Sequence, residues 1–161
     1  MAGLRTPLER ILITFWVGAI WVVGYVVAPT LFAMLERSVA GDVAGRLFSY
    51  VSMIGFICGG LLLCFALLLD RRPGWLRCWN IWILAAMLTI TIFSEYVVSP
   101  QLAELRLAAG GELVPNTPLQ RCFAKLHGVS GTLFVVNSLL GLVLLVRSGR
   151  SGGEHDLKLH P

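Results

Sequence analysis

Charge is scarce in this chain. Asp, Glu, Lys and Arg make up only 14% of its 161 residues, against about 25% in an ordinary soluble domain, and that shortfall excludes a solvated globular surface. The net charge of +4 is thinly spread, so there is no basic arm of the kind that grips phosphates, and nucleic acid is excluded as a partner. The four cysteines have no framework spacing, which excludes a disulfide-stapled secreted domain. No nucleophile stands beside a base, no glycine-rich loop is placed to cradle phosphate, and no carboxylate pair occurs. Nothing therefore points to an enzyme, and no catalytic residue is assigned.

What the chain has in abundance is apolar sequence: 57% of its residues are hydrophobic and its mean hydropathy is +0.79. These residues fall in long uncharged runs. The hydrocarbon core of a bilayer is about 30 Å thick and needs roughly 20 apolar helical residues to cross it. Four runs meet that length, at 11–35, 47–69, 78–98 and 126–146, the third only by carrying Glu95 inside it. A backbone in lipid must satisfy its own hydrogen bonds, so each run is a predicted helix. The expected fold is an all-α membrane protein, a four-transmembrane-helix bundle spanning 11–147. A short N-terminus, 1–10, precedes it, and a Gly- and Ser-rich flexible tail, 148–161, follows. The first run is too long for a signal-peptide core and lacks a small-x-small cleavage site, so it is expected to stay as a span.

Arg5, Arg10, Arg71, Arg72, Arg77, Arg147, Arg150 and Lys158 flank one end of the runs. Arg37, Arg46, Arg106, Arg121 and Lys125 flank the other, where Glu36, Asp42, Glu104 and Glu112 offset them. Positive residues are retained on the cytoplasmic side, so both termini are expected in the cytoplasm. At the opposite end the helices should extend past the bilayer. Thr117-Pro118-Leu119-Gln120 reads as a capping box with proline at the first helical position, and Asp42 offers a second N-cap. Pro29 and Pro100 should kink helices that then continue for two or three turns, with Gly41 and Gly110-Gly111 as the expected stops. These extensions would form an outer rim from residues 30–37, 42–46, 101–107 and 118–125.

The two halves of the chain resemble each other. Tyr25-Val26-Val27-Ala28-Pro29-Thr30-Leu31 matches Tyr96-Val97-Val98-Ser99-Pro100-Gln101-Leu102 at a constant offset of 71 residues, and Arg46-Leu47-Phe48 then matches Arg121-Cys122-Phe123 after a short insertion. Two repeated helical hairpins follow from this, a parallel duplication of the kind found in transporter folds; shared apolar composition is the alternative. Small residues that let helices approach are Gly18, Gly24, Gly55, Gly59 and Gly131. Gly55 and Gly59 form a GxxxG that could serve the monomer or a homodimer.

Candidate chemistry rests on few residues. Glu95 is the only acidic residue within a predicted span, and helical spacing puts Thr91, Glu95 and Ser99 on one stripe. On the last helix His127, Ser130, Phe134 and Asn137 recur at three- and four-residue spacing. Glu95 and His127 lie near the same outer boundary, so a contact between them would make a site for a ligand group or proton, with Thr91, Ser130 and Asn137 beside it. A purely structural interhelical hydrogen bond is the other reading. His127 is the only histidine in a span, because His155 and His160 lie in the tail. Cys58, Cys64, Cys78, Cys122 and the dispersed methionines do not cluster, so no haem, metal or other cofactor is expected. Trp16, Trp21, Trp75, Trp79 and Trp82 are read as belts at the span ends.

Trp16-Val17-Gly18-Ala19, Val27-Ala28-Pro29-Thr30-Leu31-Phe32, Ala40-Gly41 with Gly45-Arg46-Leu47-Phe48, and Leu126-His127-Gly128-Val129-Ser130 together resemble a known pattern. They are similar to the bacterial domain of unknown function family 4149, itself similar to eukaryotic transmembrane protein 205, over about residues 11–145. The resemblance implies a four-helix domain of the bacterial inner membrane, distantly like the copper-resistance protein D group. It implies no activity, and the single membrane histidine departs from the histidine- or methionine-rich metal sites of that group. The expected function is a transport-associated or small-ligand-binding membrane module around an outer-facing polar site. Alternatives are a structural or accessory subunit of a membrane complex and, behind it, a haem- or copper-handling protein. The bilayer is the expected partner, with a homodimer or another membrane protein where substrates cross.

Overall fold

The computed structural model describes residues 2–69, 75–109 and 117–156, with side chains described for 7–67, 79–109 and 117–148. Four helices in it are long and apolar enough to cross a membrane: α1, Pro7–Met34; α2, Arg37–Leu67; α3, Trp79–Ala108; and α4, Pro118–Ser148. Among the described residues there is no strand. The helices run alternately up and down, and each packs on two neighbours: α1 and α3 both touch α2 and α4. Only 22–28% of each apolar window is buried inside the bundle. The remaining apolar surface faces outward, which water does not tolerate over such an area and a bilayer does.

The helices outlast the predicted spans. At 1.5 Å per residue, spans of 28–31 residues run roughly 42–46 Å, well beyond the hydrocarbon slab. Helices α2 and α4 begin ahead of their apolar runs, and α1 and α3 continue past Pro29 and Pro100, as the rim requires. Thr117 caps α4, its Oγ1 accepting from the Gln120 amide at 3.2 Å. Other boundaries differ from expectation. The α1–α2 turn is made by Leu35 and Glu36, both extended in ψ, and not by Gly41, which lies buried inside α2. Asp42 is consequently no cap, having found a partner across the bundle. Helical structure begins at Ala2 and runs on to Asp156, so the tail expected from Ser148 starts as a continuation of α4. The Gly110-Gly111 pair lies outside the described residues.

Both prolines sit just after a widened turn. Val22–Val27 in α1 and Ser94–Val98 in α3 are π-helical, and the amides of Ala28 and Ser99 reach back five residues, to the carbonyls of Val23 and Ser94. A proline has no N–H and its ring presses on the carbonyl four residues before it, so a wider turn ahead of it relieves that clash. The two turns fall at matching places in the repeated Tyr-Val-Val-x-Pro segments, so the halves share a backbone irregularity as well as residues.

Trp16 forms the middle of the core. It is 1% exposed, among Ile13, Val17, Ile20, Val51, Cys58, Leu62, Met87 and Leu144. A Cβ on Gly55 would lie 2.6 Å from its Nε1, and one on Gly59 would lie 2.9 Å from its Cζ3. The GxxxG thus holds an indole within the monomer, and Trp16 is not a belt residue, because it shares the inward stripe of α1 with Ile13 and Ile20. Trp79 and Trp82 are exposed, and Trp21 leans on Tyr25. The side chain of Trp75 lies outside the described residues.

Candidate functional site

The sequence places Glu95 in α3, and the fold gives it a setting. It is half-buried at a groove of about 380 Å³ between α2 and α3, lined by Ser49, Tyr50, Met53, Phe56, Glu95 and Tyr96. The α2 residues follow one another at i, i+1, i+4 and i+7, which is one helical face. The rings of Phe56 and Tyr96 stack across the groove, centroids 6.1 Å apart and 26° between planes. No hydrogen bond or ion pair among the described residues engages the Glu95 carboxylate.

His127 is elsewhere. It is exposed on α4 and stacks on Phe123 one turn before it, with centroids 5.9 Å apart and 6° between planes. The expected Glu95–His127 contact is not formed, for two reasons. His127 lies ahead of the stretch over which α4 is buried: Asn137, Ser138, Gly141 and Leu144 are buried, whereas every residue from Arg121 to Ser130 is exposed or half-buried. In α3 the π turn begins at Ser94, so the 3.6-residue stripe linking Thr91 to Glu95 does not hold at Glu95 itself. Ser130 is half-buried on α4, and among the described residues no hydrogen bond joins it to Glu95.

Thr91 and Asn137 do meet, deeper in the bundle. Asn137 Nδ2 donates to Thr91 Oγ1 at 3.4 Å, while that hydroxyl donates to the Met87 carbonyl at 2.8 Å. Asn137 Oδ1 is buried with no hydrogen-bond partner among the described residues. Next to it in sequence, Ser138 pairs with the Tyr25 hydroxyl at 2.9 Å. Tyr25 lies 5.5 Å from Phe134 in a line of rings that continues to Phe48 at 5.6 Å. This polar and aromatic seam ties α1, α2, α3 and α4 together inside the protein, and it is separate from the Glu95 groove.

At the rim a charged cluster forms that the sequence reading did not pair. Arg106 Nη1 donates to Asp42 Oδ1 at 2.8 Å, and its guanidinium lies 5.5 Å from the centre of the Phe123 ring that also carries His127. Gly41 makes room for it, since a Cβ there would collide with the guanidinium. The signal available was opposite charge on two rim segments. At the other end Arg147 Nε donates to Asn80 Oδ1 at 3.0 Å, and Arg10 reaches the Ser148 carbonyl. Of the predicted small residues, Gly24 faces Phe134 and Gly55 and Gly59 face Trp16, but Gly18 and Gly131 meet nothing within 4 Å. They lie off the contact stripes of their helices. Gly141, packed on Val17 and Met87, takes a place the sequence did not single out. Among the described residues no three His, Cys, Asp or Glu side chains gather as metal ligands would.

Comparison with known proteins gives the chain's family. Residues 11–110 match the family model described as "Domain of unknown function (DUF4149)". The chain belongs to the DUF4149 family. An uncharacterized protein of Aquifex aeolicus (strain VF5) is 32% identical over 145 residues, covering 89% of this chain and 97% of that protein. No solved structure matches. The DUF4149 match takes in both walls of the Glu95 groove and Arg106, and it ends before α4. His127, Ser130 and Asn137 lie beyond it, within the extent of a chain otherwise covered almost end to end by its relative.

Proposed function

We propose that this DUF4149 protein is a small-ligand-binding module of the bacterial inner membrane, with the Glu95 groove as its site. One observation carries the reading: a carboxylate within an otherwise uncharged span lines a groove with no hydrogen-bond or ion-pair partner among the described residues. An ionisable group in a membrane helix is costly unless something compensates it, and such a group marks a functional site by default. If Glu95 served only to tie helices, a donor from a neighbouring helix should meet it, as Asn137 meets Thr91.

The Lys/Arg distribution supports cytoplasmic termini, and in that orientation the groove opens toward the outer leaflet. The polar composition of Ser99–Ala108 supports an apolar slab whose edge lies near Val98, about one turn beyond Glu95. A ligand would enter sideways from lipid or from the headgroup layer, since Tyr50 and Tyr96 are 60% and 69% exposed on the bundle's flank. Transport across the bilayer by a chain this small would call for a homodimer or a larger partner, and Gly55 and Gly59 are already occupied by Trp16. Reporter fusions at each terminus test the orientation: cytoplasmic signals from both support it, and a periplasmic signal from either contradicts it.

The site itself is tested by native mass spectrometry of protein drawn gently from its own membranes. The reading expects a small molecule or lipid retained by the wild type and lost from Glu95→Gln. Wild-type protein without adduct, or an adduct indifferent to the substitution, would contradict it.

A further inference from the structure

The chemistry of the groove walls narrows the ligand class. We propose that the Glu95 groove binds a hydrophobic organic cation: an ammonium or phosphonium centre carried on an apolar body. This deepens the binding reading above and rests on it. Three of the six lining residues, Tyr50, Phe56 and Tyr96, are aromatic, and they stand with one carboxylate, the Glu95 side chain. Aromatic faces carry a negative quadrupole that attracts a cation within about 6 Å of the ring centre, and clustered aromatic rings are how proteins recognise quaternary ammonium groups; here a carboxylate shares the groove with them. The stacking of Phe56 on Tyr96 fixes part of that wall before a ligand arrives. Met53 adds a polarizable thioether and Ser49 a hydroxyl. Among the described residues no Lys, Arg or His lines the groove, so none of its described lining side chains competes for the carboxylate or repels a positive guest.

The same set disfavours other guests. A metal ion wants several oxygen, nitrogen or sulfur donors, and the groove offers one carboxylate, two phenols, a thioether and one hydroxyl among rings. An anion would meet Glu95 with no compensating base. A bulky organic cation sheds water cheaply, and its body suits a groove of about 380 Å³ within the usual range of ligand sites, about 300–1,000 Å³. The contrast with the second recess is instructive. That recess, between α3 and α4, holds Lys125 with Gln101, Leu105, Cys122, Leu126 and Val129. It has a cation and no ring, and so would repel the guest that the Glu95 groove attracts.

The cation could arrive as a lipid headgroup or as a free amphiphile. The test is equilibrium binding of radiolabelled tetraphenylphosphonium to the full-length protein in an uncharged maltoside detergent, beside tetraphenylborate, which has nearly the same body and the opposite charge. The wild type should bind the phosphonium saturably and the borate far more weakly. Glu95→Gln should weaken phosphonium binding at least about tenfold. Tyr50→Ala and Tyr96→Ala should each weaken it several-fold, with Tyr50→Phe close to wild type because the ring face is kept. Displacement by dihexanoyl phosphatidylcholine assigns the site to a lipid headgroup, and displacement by benzyltrimethylammonium alone assigns it to free cations. Displacement by neither overturns the proposal, as does equal binding of the borate or phosphonium binding unchanged in Glu95→Gln. If the phosphonium fails while native protein retains a neutral or acidic molecule that Glu95→Gln loses, the cation assignment falls and the binding-module reading stands.

Discussion

Two residues that look alike in the sequence, polar and alone in apolar helices, have opposite fates. Asn137 is spent on the fold: it bonds Thr91 within a buried seam. Glu95 makes no hydrogen bond or ion pair among the described residues. Removing the hydroxyl with Thr91→Val should cost about 1–2 kcal/mol, because the Asn137 amide is then stranded where water does not reach. Pairing it with Asn137→Leu should recover most of that loss, since two apolar groups leave no polar atom unmet; thermal unfolding in detergent checks both. At the rim, Arg106→Ala should cost about 1–2 kcal/mol by losing both Asp42 and the Phe123 face, while Asp42→Ala should cost under about 1 kcal/mol, the usual worth of an exposed pair. The double variant should cost less than the two singles combined, and strict additivity would show that the pair does not couple.

At the scale of elements, the helices were legible because lipid permits little else: long uncharged runs leave helix as the only backbone that satisfies itself. The rim and the Thr117 cap were legible for the same kind of reason, a local rule with a local signal. The bundle contacts were less so. The spacing that joined Thr91 to Glu95 assumes an unbroken α-helix, and the π turn at Ser94–Val98 interrupts it; the spacing from His127 to Asn137 runs along an unbroken helix, but only its Asn137 end is buried in the bundle. Which small residues are used was equally hidden. Gly55 and Gly59 carry packing and Gly18 does not, because only the partner helix decides whether a large side chain such as Trp16 arrives. Gly55→Ala should therefore destabilise the monomer by about 1–3 kcal/mol through overpacking, with no change in oligomeric state. Trp16→Ala should cost about 3–5 kcal/mol by emptying the core. A wild-type melting curve for Gly55→Ala accompanied by loss of a dimer would place the GxxxG between copies instead.

For the whole molecule, the fold divides its polar residues by height and by side. Arg10, Asn80 and Arg147 knit the end that carries the termini, and Thr91, Asn137, Ser138 and Tyr25 knit the interior. Asp42, Arg106, Phe123 and His127 knit the opposite rim. Each set joins helices to one another. The Glu95 groove opens outward, joined across only by the Phe56–Tyr96 stack among its described residues, and its aromatic lining was invisible in the sequence because Tyr50, Phe56 and Tyr96 come together only when α2 lies against α3. The central claim is that this carboxylate is held for a guest and not for the fold. Its most direct test is the unfolding temperature of ligand-free Glu95→Gln, measured beside wild type and Thr91→Val. The account predicts that Glu95→Gln melts with the wild type while Thr91→Val melts lower. A Glu95→Gln protein that melts as low as Thr91→Val would make Glu95 one more tie between helices and would contradict the account.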